Sequence, residues 1–463
     1  MSPHMDMKEA EKPADPLRSF RPRNRRRILC VSPKYTNSFG TFNHAFPLMG
    51  NVKAFMPPQG ILLVAAMVPP GWEVQFVDEN IRKARDEEFA WADAVFISGM
   101  HIQRARIHEI NARAHEFDKL TVLGGPSVSS APDYYQEVDI LHCGEVGDAT
   151  LALFEHLDRS CERPSEQMVF KTVVRLPMEK FPSPAYHMIK VTHYLLGSVQ
   201  FSSGCPFTCE FCDIPGLYGR NPRLKRPEQI VAELDALADG GAVAVYFVDD
   251  NFVGNPKAAQ ELLPYLIGWQ KRRGYNVQLS CEGTLNIGSY PKIMEMMREA
   301  GFITIFCGIE TPDPNALRAM KKTQNLRLPI LDVVETLNRH GIEVASGIIM
   351  GLDTDTDGTA QAIVDFARLS NIPIMTVNLL YALPKTPLFD RLHATGRVNS
   401  GEGRDSNVDF LRGYETVYKD WQEVVREIYT PEAIYGRFLS NCERTYGNRW
   451  VPENPWARLT WAN

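Results

Sequence analysis

The sequence predicts an α/β protein: a doubly wound (Rossmann-like) parallel sheet, then a partial, TIM-like (βα)6 barrel, then a mostly helical C-terminal appendage. Three observations carry that prediction. Short apolar runs alternate with helical stretches in two separate series, an irregular Pro-containing span divides the series, and the alternation stops near Leu392. Alternation of this kind gives parallel sheets, because two parallel neighbours need a crossover between them. A length of 463 residues suits two or three domains of ordinary size.

In chain order, residues 1–27 read as a disordered tail. They mix acids, bases and prolines without the apolar segment a secretory signal needs. Residues 28–157 form the first domain, with strands expected at Ile28–Ser32, Glu73–Asp78, Ala94–Ser98, Leu120–Gly124 and Asp139–His142. Gln59–Met67 and Gln103–Glu116 are its clearest helices. Residues 158–195, with Pro177, Pro182 and Pro184, read as a linker. Residues 196–395 form the barrel, with strands at Ser198–Ser202, Val243–Val248, Val277–Cys281, Ile303–Gly308, Glu343–Met350 and Ile374–Leu380. Its helices include Pro227–Leu237 and Asn325–His340. Such a barrel carries its chemistry at the C-terminal strand ends. Residues 396–463 form the appendage, with a helix near Val417–Ile428. Its aromatics Trp421, Tyr429, Tyr435, Trp450, Trp456 and Trp461 fit packing against the barrel better than an interfacial membrane surface.

Bulk properties exclude several classes. A net charge of −6 with a pI near 6.0 argues against nucleic acid as a partner. The longest apolar run, 61–70, falls short of the roughly 20 residues a membrane-spanning helix requires. Nine cysteines, an odd number in a chain of this length, do not make a disulfide framework and fit a reducing, cytoplasmic compartment.

Three of those cysteines fall within eight residues, in Gly204-Cys205-Pro206-Phe207-Thr208-Cys209-Glu210-Phe211-Cys212. Thiolates at Cx3Cx2C spacing can bind three irons of a cubane [4Fe–4S] cluster and leave the fourth open to a small chelating molecule. Zinc would want a fourth Cys or His nearby, and none lies between Tyr194 and Asn276 beyond these three.

A Cx3Cx2C loop after the first strand of a (βα)6 series, with Phe211 before the last cysteine, resembles the radical S-adenosylmethionine (SAM) superfamily. The resemblance implies a cluster that cleaves SAM to a 5′-deoxyadenosyl radical, which takes a hydrogen atom from an unactivated carbon. The hard chemistry then belongs to the cofactors, and the protein supplies position. Asp249, Asp250, Glu282 and Glu310 end successive barrel strands and are expected to meet the polar groups of SAM, together with Phe211. Asp249 or Asp250 could instead cap a helix. Gly347-Ile348-Ile349-Met350-Gly351 resembles the superfamily's Gly-x-Ile-x-Gly strand, which places Gly347 beside adenine. Thr354 stands where that pattern carries an acid, so no contact is assigned there.

In the first domain, Gly124, Gly125 and Ser127 follow the fourth strand, and Gly144 and Glu145 follow the fifth. Small residues there could bed a large planar ligand, although a Gly-Gly turn can equally be only a turn. Ahead of a radical SAM barrel they resemble the cobalamin domain of the class B, cobalamin-dependent radical SAM enzymes. The chain lacks an Asp-x-His-x-x-Gly motif, so no protein histidine is expected on cobalt. Cys30, Cys143 and Cys161 could hold a second cluster, but buried apolar cysteines suit Cys30 and Cys143 better.

The stretches Cys212–Arg223, Asp249–Asn255, Gly308–Asp313 and Leu383–Leu388 resemble that class. Ser38–Phe42, Phe55–Gly60 and Gly99–Gln103 resemble its hopanoid C-2 methylase branch. The resemblance implies methyl transfer from methylcobalamin to C-2 of a hopanoid, with one SAM methylating cobalamin and a second cleaved at the cluster. It also implies an apolar substrate between the two domains, near Tyr218, Arg220 and Tyr381. An external electron donor such as flavodoxin or ferredoxin is required, and peripheral contact with the inner membrane would give access to a hopanoid. The same cofactors acting on another natural product or a tetrapyrrole, or a non-enzymatic electron-transfer or sensing protein, are the alternatives.

Overall fold

The computed structural model describes residues 20–36, 43–401 and 404–451. The Ser38–Phe42 stretch, Trp456, Trp461 and the first nineteen residues of the expected tail lie outside the described residues.

The first sheet contains β1 (Arg27–Ser32), β2 (Glu73–Asp78), β3 (Ala94–Ser98), β4 (Leu120–Gly124), β5 (Ile140–Cys143) and β6 (Met168–Lys171). Their order is β2-β1-β3-β4-β5-β6, with every pair parallel. Because β1 lies between β2 and β3, the crossovers diverge there and open a crevice at the C-terminal ends. Cys30 and Cys143 pack in separate apolar cores of this domain, so they do not assemble a second cluster.

Two expectations change at the domain's edges. The span read as a linker supplies β6, and its Leu176, Met178, Phe181 and Ala185 join the first domain's core. A four-residue edge strand with Val169 56% exposed carries too little apolar periodicity to be read from sequence. The end of the expected tail is also pinned. The backbone N–H groups of Arg23 and Asn24 donate to the Asp158 carboxylate at 3.0 and 2.8 Å. The Arg26 guanidinium reaches the carbonyls of Leu157 and Asp158 at 2.7 and 2.8 Å.

The second sheet begins with β7 (Gly197–Val199). After the antiparallel hairpin β8 (Ser202–Ser203) and β9 (Arg223–Leu224) come β10 (Ala244–Phe247), β11 (Gln278–Gly283), β12 (Phe302–Glu310), β13 (Glu343–Met350) and β14 (Ile374–Leu379). The order β14-β13-β12-β11-β10-β7 is parallel throughout and leaves the barrel open between its first and last strands. The single first strand expected at Ser198–Ser202 is split, because the chain leaves the sheet at Gln200 to build the cysteine hairpin. The helix expected at Asn325–His340 begins only at Ile330, after a 3-10 turn over Thr323–Leu326. Pro329 stands at its N-cap, where the ring biases the preceding residue away from helical geometry.

The barrel core is aromatic: Phe247 and Phe252 meet at 5.3 Å between ring centroids, and Phe302 lies 5.3 Å from Phe252. In the appendage, the helix Tyr414–Ile428 buries Val417, Val424 and Ile428. Trp421 donates its indole N–H to the Val377 carbonyl at 2.8 Å, and Trp450 lies 6.4 Å from the Tyr275 ring. These aromatics pack on the barrel as expected, while Tyr435 is 68% exposed. No helix among the described residues is long and apolar enough to cross a membrane.

Phe252 is fully buried in the ring cluster. Truncation by Phe252→Ala removes the contacts of a whole ring and leaves a cavity, a loss of about 3–5 kcal/mol. The expected outcome is a lower midpoint in chemical denaturation with an unchanged slope.

Candidate cluster and cofactor site

The cysteine loop hangs between β8 and β9 and is gripped from both sides. Gly204 enters it at φ +103°, where a Cβ would lie 2.9 Å from the Gly219 carbonyl oxygen, so only glycine fits. The Cys205 N–H donates to that carbonyl at 3.1 Å, and the Cys212 N–H donates to the Cys209 carbonyl at 3.2 Å. The buried Asp249 carboxylate accepts from the Phe201 N–H at 3.2 Å and from the N–H and hydroxyl of Ser202. Asp250 accepts from the Gly204 N–H at 2.6 Å. The two acids expected at SAM therefore hold the backbone ahead of the first cysteine. Neither caps a helix; Asn255 does, accepting from the Ala258 N–H at 3.2 Å. Burial raises Asp249 to about 6 and Asp250 to about 7.

On the other side, the Glu210 N–H donates to the Met320 carbonyl at 2.9 Å, and Arg391 binds the Glu210 and Asp353 carboxylates at 2.6 Å each. Glu310 ends β12 at φ +68°, a strained value for a residue with a side chain. It is ion-paired with the buried Lys322, whose Nζ lies 5.5 Å from the centre of the Phe211 ring. Gln324 donates its amide N–H to the Cys209 sulfur at 3.3 Å. Burial raises the Glu282 carboxyl to about 7, against the pull of the Tyr246 hydroxyl. Lys322, Gln324 and Arg391 were not singled out from sequence. Lys322 and Gln324 lie in the polar run Lys321–Asn325, ahead of the expected helix, and Arg391 stands far along the chain, so no local spacing links them to the cysteines.

This donor set fits a [4Fe–4S] cluster. Three soft ligands sit on a loop fixed at both ends, and one sulfur already receives an N–H. Burial pushes the Cys212 thiol up to about 12 and raises Cys205 as well. Burial thus favours the neutral form of these two thiols, and the positive charge of bound iron would be what turns them into thiolate ligands.

Two cavities flank the loop. One of about 420 Å³ is lined by Phe211, Met320, Leu352, Thr354, Leu380 and Leu388. The Thr354 hydroxyl is buried without a hydrogen-bond partner, as a group awaiting a polar ligand would be. The turn beside it is held by Asp355, which accepts from the Gly351 and Leu352 N–H groups at 2.7 and 3.1 Å. Gly347 lies in β13, where a Cβ would press on the Phe306 ring at 3.3 Å. Asp249, Asp250, Glu282 and Glu310 line neither cavity.

The second cavity, of about 410 Å³, lies between the domains. Gly124, Gly125, Gly144 and Glu145 line it from one side, and Ser203 and Tyr218 from the other. A Cβ on Gly124 would meet no protein atom closer than 4.0 Å, so the glycine leaves open space for a ligand. Gly125, at φ +98°, lies against Gly99, and Gly144, at φ +103°, against Thr172. A flat, small-residue ledge at the carboxyl end of a doubly wound sheet fits a large planar cofactor such as cobalamin. Three expectations change here. Ser127 is buried, with its hydroxyl bonded to the Tyr135 hydroxyl at 2.5 Å and to His101 Nδ1 at 3.0 Å; Ser129 lines the cavity instead. Glu145 lines it, but its carboxylate binds Arg223 at 2.6 Å, Arg175 at 3.1 Å and the Ser203 hydroxyl at 3.1 Å. Arg220 is exposed and Tyr381 is 42% exposed, and neither lines the cavity.

The barrel and its cysteine loop define a radical SAM protein, and the pattern of the Radical SAM superfamily matches residues 199–367. A domain of unknown function, DUF4070, matches residues 386–462. The chain is 57% identical over 431 residues to the hopanoid C-2 methylase of Rhodopseudomonas palustris (strain TIE-1), covering 93% of this chain and 82% of that protein. It is 24% identical to the bacteriochlorophyllide d C-12(1)-methyltransferase of Chlorobaculum tepidum, covering 90% of each chain. The same fold occurs in the radical SAM methyltransferase TsrM of Kitasatospora setae, solved with cobalamin and a [4Fe–4S] cluster bound. The TM-score is 0.63 at 16% identity, covering 82% of this chain and 80% of that one. OxsB, a cobalamin-dependent SAM radical enzyme, superposes with a TM-score of 0.65 at 14% identity, covering 94% and 75%. The chain is a radical SAM methyltransferase and belongs to the family that contains hopanoid C-2 methylase.

A carboxyl whose value rises on folding binds its proton more tightly in the folded chain. Its contribution to stability is full at low pH and is lost as pH rises through the folded value. Asp249 and Asp250 therefore make the iron-free protein less stable between about pH 4 and pH 7. Asp250→Asn keeps an oxygen for the Gly204 N–H and has no proton to lose. Its denaturation midpoint is expected to fall less than that of the wild type across that window.

Proposed function

We propose that the protein transfers a methyl group from cobalamin to an unactivated carbon of a hopanoid, at ring position C-2. The observation that carries this reading is the cavity between the glycine ledge and the cysteine hairpin. A carbon held there lies between a cobalamin on one domain and the cluster loop of the other. The 57% identity to a hopanoid C-2 methylase supports the substrate. A branch of the same cofactor class acting on tetrapyrroles is the second reading, favoured by weaker likenesses such as that to the bacteriochlorophyllide methyltransferase.

Cys205, Cys209 and Cys212 would hold the cluster. Phe211 and Thr354 would bound SAM, with Asp250, Glu282, Glu310 and Gly347 forming the shell that shapes its pocket. Gly124, Gly125 and Gly144 would bed cobalamin, and Tyr218 would face the substrate. When bound, the cluster with SAM supplies hydrogen-atom abstraction, and cobalamin supplies the methyl group. The chain's own part is to position the reactants and exclude water. The route demands no general base, and none is assigned. It requires an external one-electron donor of the flavodoxin or ferredoxin kind, and a peripheral approach to the membrane that holds the hopanoid.

Two experiments test the reading. The protein, purified anaerobically with cobalamin and its reconstituted cluster, is given SAM, a reductant and a hopene. The expected product is a hopanoid one methyl heavier; SAM cleavage without it overturns the substrate. Separately, Gly124→Leu fills the ledge and is expected to lower cobalamin affinity by about tenfold or more, a loss of ~1.4 kcal/mol, with iron content unchanged. Undiminished cobalt binding would remove the ledge from the cobalamin site.

A further inference from the structure

The segment that follows the helix Pro314–Ala319 is fixed more firmly than a surface connection requires. The Glu210 N–H holds the Met320 carbonyl at 2.9 Å, and the Lys322 N–H donates to the Leu317 carbonyl at 2.9 Å. Asn325 ties the far end to β12, its amide donating to the Gly308 and Ile309 carbonyls at 3.0 and 3.3 Å. Between these anchors, Lys322 and Gln324 are 5% and 3% exposed and face the cysteine loop. Lys322 lies over the ring of Phe211, the neighbour of Cys212, and is paired with Glu310. A side chain at Gly308 would come within 2.8 Å of its Nζ, so the glycine clears room for the pair. Gln324 donates to the Cys209 sulfur, while its amide oxygen is buried without a partner. A buried amide that keeps its N–H on sulfur and leaves its oxygen unsatisfied is arranged for the thiolate, not for its own stability.

We infer that this segment sets the reduction potential of the cluster, Gln324 through its hydrogen bond to the Cys209 sulfur and Lys322 through a buried positive charge balanced by Glu310. The inference rests on the cluster assignment. Reduction adds one electron's negative charge to the cluster. A hydrogen-bond donor or a nearby cation stabilises that form and raises the potential, and an uncompensated carboxylate lowers it. Lys322, Gln324 and Glu310 are positioning residues in this role.

The test is a redox titration of the cluster followed by electron paramagnetic resonance, on reconstituted full-length protein without SAM, with iron counted for each variant. Gln324→Leu is expected to lower the midpoint by about a tenfold shift in the reduction equilibrium, which is 59 mV for one electron. Lys322→Gln lowers it too, because it also exposes the charge of Glu310; Glu310→Gln raises it; and Lys322→Arg restores the wild-type value. Lys257→Gln, in the first turn of the helix Pro256–Arg273 with its side chain 88% exposed, leaves it unchanged. A packing role would not move the two partners of one ion pair in opposite directions. Midpoints unmoved in Gln324→Leu and Lys322→Gln at full iron content overturn the inference, as do shifts of one sign for Lys322→Gln and Glu310→Gln. If Lys322→Gln fails to fold, Gln324→Leu decides alone. A wild-type protein that assembles no cluster overturns both the inference and the cluster assignment.

Discussion

The ion pair of Glu145 with Arg223 and Arg175 is the constraint on which the rest of the arrangement depends. Glu145 stands at the carboxyl end of the first sheet, and Arg223 lies in the hairpin strand that closes the cysteine loop. Arg175 reaches from beyond the last strand of the first domain to the Leu217 and Tyr218 carbonyls at 2.7 and 2.8 Å. A single partly buried carboxylate thereby fixes the loop of one domain against the ledge of the other. Charge-assisted bonds to planar guanidinium groups are directional, so they fix orientation as well as distance. Further contacts across the seam act the same way. Tyr194 donates to Asp78 at 3.1 Å, and the Ser198 hydroxyl donates to the Pro57 carbonyl at 2.9 Å.

The barrel mouth concentrates acids in a place that disfavours their charge. Asp249, Asp250 and Glu282 are each raised by burial, and Glu310 is compensated by Lys322. A polar network of this kind is stabilising only when its members are satisfied. Asp249 meets that condition through the backbone of the cysteine hairpin, and Glu310 through its lysine. The desolvation penalty at Asp249 and Asp250 accompanies a cysteine loop whose entry is fixed through the N–H groups of Phe201, Ser202 and Gly204.

The chemistry was legible because it depends on covalent spacing. Cys205, Cys209 and Cys212 lie within eight residues, so their pattern can be read without a fold. The strands of both sheets were legible from apolar periodicity, with Glu343–Met350 matching residue for residue. The edge strand Met168–Lys171 was not, because four half-exposed residues give no period to read. Ser127 was misplaced for a related reason: in a short helix after a Gly-Gly turn, one position decides whether a hydroxyl faces a ligand or the core. Glu145 was read as a ligand contact because its partners lie 30 and 78 residues away, beyond any local pattern.

By itself the sequence determined the Cx3Cx2C pattern, the two parallel-sheet units and the order in which they occur, since each rests on local spacing and periodicity. Only the tertiary structure decided what the acids do. Whether Asp250 meets a cofactor or a backbone N–H, and whether Lys322 faces solvent or lies buried over Phe211, depends on which distant segments the fold brings together. The energy of a buried charge is set by those neighbours and not by its position in the chain.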